Sequence, residues 1–158
     1  MGGQTEAGNR GRPDPMSVAF DEARAAAARG EVPVGAAIAR DGAILASAGN
    51  RMVADADPTA HAEILAIRAA AAHCGSPRLA DCDLYVTLEP CAMCAGAISF
   101  ARLRRLYYGA GDPKGGAVEH GPRFFGQPTC HHAPDAYGGI REREAAALLR
   151  EFFAARRP

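Results

Sequence analysis

The spacing of apolar residues changes twice in the first half of the chain. Met16, Ala19, Phe20, Ala23, Ala26 and Ala27 recur at intervals of three and four, which is one face of a helix. Asp14 precedes them as an N-cap, Pro15 takes the first helical position, and Gly30 ends the run. Short apolar runs at 34–40 and 43–48 then flank Asp41-Gly42, a tight-turn pair, and predict a hairpin. The stretch 50–59 reads as loop. Helical spacing returns from about His61 to His73, with Thr59 as the expected cap.

Beyond that point the pattern predicts a strand at 83–88, a helix at about 91–101 with Pro90 in its first turn, and a strand at 104–110. Residues 111–139 are rich in Gly, Pro and His and carry no readable period. A connector of that length in one domain is functional or holds short elements of its own. Ala145, Leu148, Leu149 and Phe152 form a last helical stripe, expected to pack on the sheet. The order of elements argues an α/β fold, a mixed sheet sandwiched by helices.

Composition narrows this picture only a little. A chain of 158 residues with 48 % hydrophobic and 23 % charged residues fits one domain with an ordinary core. It has no apolar run long enough for a membrane span. Residues 1–13 carry no apolar signal core, and Glu6 stands where a myristoylation motif needs Ser or Thr. They are expected to be a disordered leader, with a single domain over 14–158.

The 18 basic and 18 acidic residues cancel, so net charge offers no general case for nucleic-acid binding. All the basic residues but Lys114 are arginine, a side chain suited to phosphates and to stacking on bases. Five cysteines without a secretion signal point to metal binding or free thiols and not to disulfides.

The candidate chemistry lies in "TAHAE" at 59–63 and "LEPCAMC" at 88–94. Catalytic zinc takes three protein ligands and leaves a position for water, and His61, Cys91 and Cys94 supply that set. Glu63 is placed to carry a proton beside it. A redox Cys-x-x-Cys pair is one alternative. A structural zinc site, with its fourth ligand from Cys74, Cys82, Cys130, His131 or His132, is another.

The combined H-x-E…P-C-x-x-C pattern resembles the zinc nucleobase deaminases. With "RGEVPVGAAIA" at 29–39, "GNR" at 49–51, "DPTAHAE" at 57–63, "LYVTLEPCAMCAGAI" at 84–98 and "LLREFFAARR" at 148–157, the chain resembles the bacterial tRNA-specific adenosine deaminases over about residues 15–157. The resemblance implies a cytidine-deaminase-like three-layer α/β/α sandwich with a five-stranded mixed sheet. It implies a cytoplasmic homodimer with one Zn2+ per subunit. The implied reaction is hydrolytic deamination of the wobble adenosine in an anticodon stem-loop, of arginine tRNA, to inosine by a zinc-activated water.

Carried over by matching position, His61, Cys91 and Cys94 bind zinc, Glu63 shuttles protons, and Asn50 reads the purine. Asp112 and Lys114 lie on a loop against the RNA, and Phe152, Phe153, Arg156 and Arg157 belong to a C-terminal helix that shapes the anticodon-loop site. The chain departs from typical members over 115–139, where they carry an aliphatic stretch ending in Asn-His. Two alternatives stay open: a zinc deaminase of a free base or nucleoside, and a non-catalytic zinc-stabilised RNA-binding protein.

Overall fold

The structure, a computed structural model, describes residues 12–156. Its elements in chain order are helix α1 (Pro15–Ala28), strands β1 (Gly35–Arg40) and β2 (Ala43–Gly49), helix α2 (Ala62–Cys74), β3 (Asp83–Leu88), α3 (Ala92–Ala101), β4 (Arg105–Ala110), β5 (Asp135–Tyr137) and α4 (Glu142–Arg156). A single 3-10 turn, Phe124–Gly126, lies between β4 and β5.

The strands form one sheet in the order β2-β1-β3-β4-β5. β1 pairs antiparallel with β2 and β3, whereas β3, β4 and β5 run parallel, so the sheet is mixed. Alternation along each strand sends side chains to two separate cores. Ala36, Ile38, Leu84, Val86 and Leu106 face α2 and α3. Ala37 faces the opposite side with Met16, Ala19 and Phe20 of α1 and Ala145 of α4. The result is the expected three-layer α/β/α sandwich.

α1 lies very close to the sheet because Gly35 has no side chain. A Cβ there would stand 1.9 Å from the Ala19 carbonyl oxygen. The hairpin, the first two helices and the Asp14 cap, which accepts from the Ser17 amide, agree with the sequence pattern.

Two expectations need correction, and a third is filled in. Thr59 does not cap α2: its amide and hydroxyl both donate to Asp57 Oδ1, and His61 is the N-cap residue. An aspartate two residues back offers Thr59 a shorter turn of its own. Pro90 lies before α3 and not within its first turn, since Cys91 is the N-cap. The 111–139 segment, unreadable by period, contains the 3-10 turn and β5. Strand β5 is three residues long and joins the sheet only by pairing with Arg105–Tyr107 of β4. The expected leader at 1–13 lies mostly outside the described residues. Among the described residues no helix is long and apolar enough to cross a membrane.

Candidate active site

One end of the sheet gathers the chemistry. The start of β1, the end of β2 and the ends of β3 and β4 all lie there, because β1 runs antiparallel to both its neighbours. Ligand sites in open α/β sheets fall at the carboxyl ends of parallel strands, as here. His61 and Cys91 are both helix N-cap residues with extended backbone, and neither side chain makes a capping hydrogen bond. Their side chains are directed instead at each other. His61 Nδ1 lies 3.7 Å from Cys91 Sγ and 3.5 Å from Cys94 Sγ.

These distances test the fit to a metal. Zinc bonds of about 2.1 Å to nitrogen and 2.3 Å to sulfur, at a tetrahedral angle, separate the two donors by about 3.6 Å. The three donor atoms all lie within 4.8 Å of one another. Among the described residues no fourth His, Cys, Asp or Glu joins the group. Cys74 accepts from Arg40, Cys82 donates to Asp81, and Cys130 donates to the His132 carbonyl. His132 Nε2 bonds the Leu103 carbonyl. The group therefore fits zinc, which His61, Cys91 and Cys94 would hold as three protein ligands.

Electrostatics set the two sulfurs apart. The Cys91 thiol is lowered to about 4, chiefly by its hydrogen bond with Cys94 and, against burial, by His61. Cys94 is pushed up, first by the adjoining Cys91 sulfur and then by burial. A divalent cation favours thiolate on both sulfurs, and the N-terminus of α3 adds in the same direction. Hydrogen bonding to Cys91 raises His61.

Glu63, in the first turn of α2, is 4 % exposed. Burial, with a smaller push from Cys91, raises its carboxyl above the ordinary range. Such a group exchanges protons more readily near neutral pH than a solvated carboxylate does.

Asn50 closes one wall of the cleft. Its Oδ1 accepts from the Ala62 amide at 2.9 Å, which satisfies the first free N–H of α2. Its Nδ2 has no protein partner among the described residues. The cleft holds about 230 Å³ and is lined by Val34, Asn50, His61, Glu63, Leu88 and Asp112. Asp112 also folds its own loop: its Oδ1 accepts from the Lys114 and Gly115 amides.

A second groove of about 790 Å³ is lined by Lys114, Leu149, Arg150, Phe153, Ala154 and Arg156. The loop at 112–115 therefore separates cleft from groove. Phe153 is 47 % exposed there, but Phe152 faces inward and Arg156 covers its ring at 3.5 Å. Phe152, expected at the RNA site, is not among the residues that line the groove. Arg157 lies outside the described residues. Sequence reasoning missed Arg150; its signal was the three-residue step to Phe153 on one helix face.

A deaminase-type α/β/α sandwich with a His-Cys-Cys zinc site and a buried adjoining carboxylate defines a zinc-dependent hydrolytic deaminase. The comparisons with known proteins are more specific. Residues 12–110 match the cytidine and deoxycytidylate deaminase zinc-binding region. A tRNA-specific adenosine deaminase of Agrobacterium fabrum is 61 % identical over 142 residues, covering 90 % of this chain and 93 % of that protein.

A solved structure from work on A-to-I editing by tRNA:A34 deaminases at the wobble position superposes with a TM-score of 0.84 at 61 % identity. That match covers 85 % of this chain and 98 % of the solved one. A guanine deaminase from Nitrosomonas europaea superposes with a TM-score of 0.73 at 28 % identity, over 89 % and 83 % of the two chains. The chain belongs to the tRNA-specific adenosine deaminases, within the cytidine and deoxycytidylate deaminase zinc-binding family.

Proposed function

We infer that the protein hydrolyses the wobble adenosine of a tRNA anticodon loop to inosine, using one Zn2+ per subunit. The observation that carries this is the three-ligand site with Glu63 buried beside it and no fourth ligand among the described residues. When bound, zinc supplies the Lewis acidity that makes water nucleophilic near neutral pH. Glu63 accepts the proton of the attacking water and delivers it to adenine N1. It then takes the proton of the new C6 hydroxyl and passes it to the departing amine. A C6–O bond forms, the C6–N bond breaks, and ammonia leaves. Asn50, its Oδ1 committed to α2, offers Nδ2 to an acceptor on the purine edge.

An anticodon loop presents an unstacked base, and such bases are read on their edges and faces. With the adenine in the cleft, the flanking nucleotides run over the 112–115 loop into the groove. Lys114, Arg150 and Arg156 meet phosphates there and Phe153 stacks on a base. Three such contacts predict a slope near −2 for log affinity against log salt, at about −0.7 per phosphate. Lys114→Ala is expected to reduce the slope by about 0.7. A fluorescence titration of a labelled stem-loop at several salt concentrations measures both.

We also propose a homodimer. Helix α3 carries no charged residue, and Met93, Gly96, Ala97 and Phe100 form a stripe away from its buried face. Phe100 is 82 % exposed, an apolar surface that suits a second copy. Phe100→Glu is expected to convert the dimer to monomer in sedimentation. An arginine tRNA as substrate and a cytoplasmic site of action complete the proposal.

Deamination of free guanine is the competing reading, favoured by the likeness to the guanine deaminase. A free base has no use for a groove with three cations. The deciding experiment offers the zinc-loaded protein an anticodon stem-loop with wobble adenosine, alongside free adenosine, cytidine and guanine. Inosine in the stem-loop alone is expected. Ammonia from a free base with the stem-loop untouched overturns the substrate.

A further inference from the structure

Glu89 follows β3, lies two residues before Cys91 in the wall of the cleft, and has a wholly enclosed side chain. Every hydrogen bond it accepts comes from the segment that follows β4. Oε1 accepts from the Asp112 amide at 2.9 Å and from His120 Nδ1 at 2.6 Å. Oε2 accepts from the amides of Val118, Glu119 and His120 at 3.0, 3.0 and 3.1 Å. A carboxylate has only acceptors, so the His120 tautomer that fits carries its proton on Nδ1.

The loop wraps this carboxylate closely. A Cβ on Gly116 would stand 2.4 Å from Glu89 Cδ, and the Ala117 amide bonds the Pro90 carbonyl at 2.9 Å. A buried carboxylate without such donors would be strongly unfavourable, and charge-assisted bonds are the stronger ones. The loop so held is the one that presents Asp112 and Gly115 to the cleft and Lys114 to the groove.

We propose that Glu89 and His120 are positioning residues for RNA binding: together they fix the 112–120 loop to the segment that carries Cys91, and so set the distance between the loop's substrate contacts and the metal. The carboxylate is the hub, and the His120 ring is the one side-chain donor among its five. Removing that ring donor leaves the four amides in place but takes from Oε1 the bond that ties the His120 end of the loop to its Asp112 end. The proposal rests on the reading that this loop touches the RNA.

Glu89→Gln puts an NH2 against backbone N–H donors on one side or the other, and such a variant can fail to fold. His120 is the cleaner probe. His120→Ala removes the donor, and His120→Asn restores an N–H on the same Cγ. The full chain, zinc-loaded, is assayed with the wobble-adenosine stem-loop, and amide hydrogen exchange is followed over 112–120.

His120→Ala is expected to raise KM by about tenfold, as for a lost charge-assisted bond, with kcat within about twofold and one zinc retained. Its loop amides should exchange faster. His120→Asn should return both KM and protection to near the parent values. Unchanged KM, or equal impairment in both variants, overturns the proposal. Should the parent fail to edit the stem-loop, the substrate reading falls, and hydrogen exchange still decides the anchor. Unchanged protection in His120→Ala then rejects it.

Discussion

Glu63→Gln is expected to lower turnover of the stem-loop by about 10²–10⁴-fold while one zinc per subunit is retained. The size follows from its two duties. The carboxylate takes a proton from water and hands it to a ring nitrogen that does not otherwise gain one, and an amide can do neither. The zinc should stay because Glu63 is not among the three donor atoms that meet one another. Binding of the stem-loop should change little, since the groove residues lie on α4 and the 112–115 loop. Ammonia release, metal content and a stem-loop titration on one preparation check all three statements. Loss of zinc in a folded variant would make Glu63 part of the metal site. An unchanged rate would remove it from the reaction.

Cys91→Ala is expected to abolish stoichiometric zinc and to lower the melting temperature by about 10 °C. Metal bound only by the native state, at a free concentration about a thousandfold above its dissociation constant, stabilises by about 4 kcal/mol. For a chain of this length each kcal/mol shifts the midpoint by about 2–4 °C. Zinc held by His61 and Cys91 would join two helix N-termini, those of α2 and α3, and its removal would lose that link. The parent treated with a chelator should melt near the variant, and added zinc should rescue the parent alone. A variant that still binds one equivalent of zinc would refute the ligand assignment.

Much of this is legible in the sequence alone. The first helix, the Asp41-Gly42 hairpin, β3, α3 and β4 are written in repeats of two or of three and four residues. Such repeats need only neighbours along the chain. The two halves of the metal motif were equally plain, because Cys-x-x-Cys at a helix start brings two sulfurs together by local geometry. The resemblance to a known family then supplied the expected roles. It could not supply which way a side chain faces, and Phe152, named beside Phe153, is turned inward under Arg156.

Local pattern along the chain carries the donor atoms and every element but β5 and the 3-10 turn. The tertiary structure decided how distant pieces meet. Strand β5 is three residues whose strand character comes from β4, so no period could announce it. Asn50 caps a helix that begins twelve residues later, and thereby leaves only its amide nitrogen for a ligand. Glu89 reads as a flank of the Cys motif, yet its amide partners lie 23 to 31 residues onward. The physical reason is the same in each case. Helix and strand preferences act between near neighbours, whereas a buried carboxylate, an edge strand or a free helix N–H must be satisfied by whatever the folded chain brings to it.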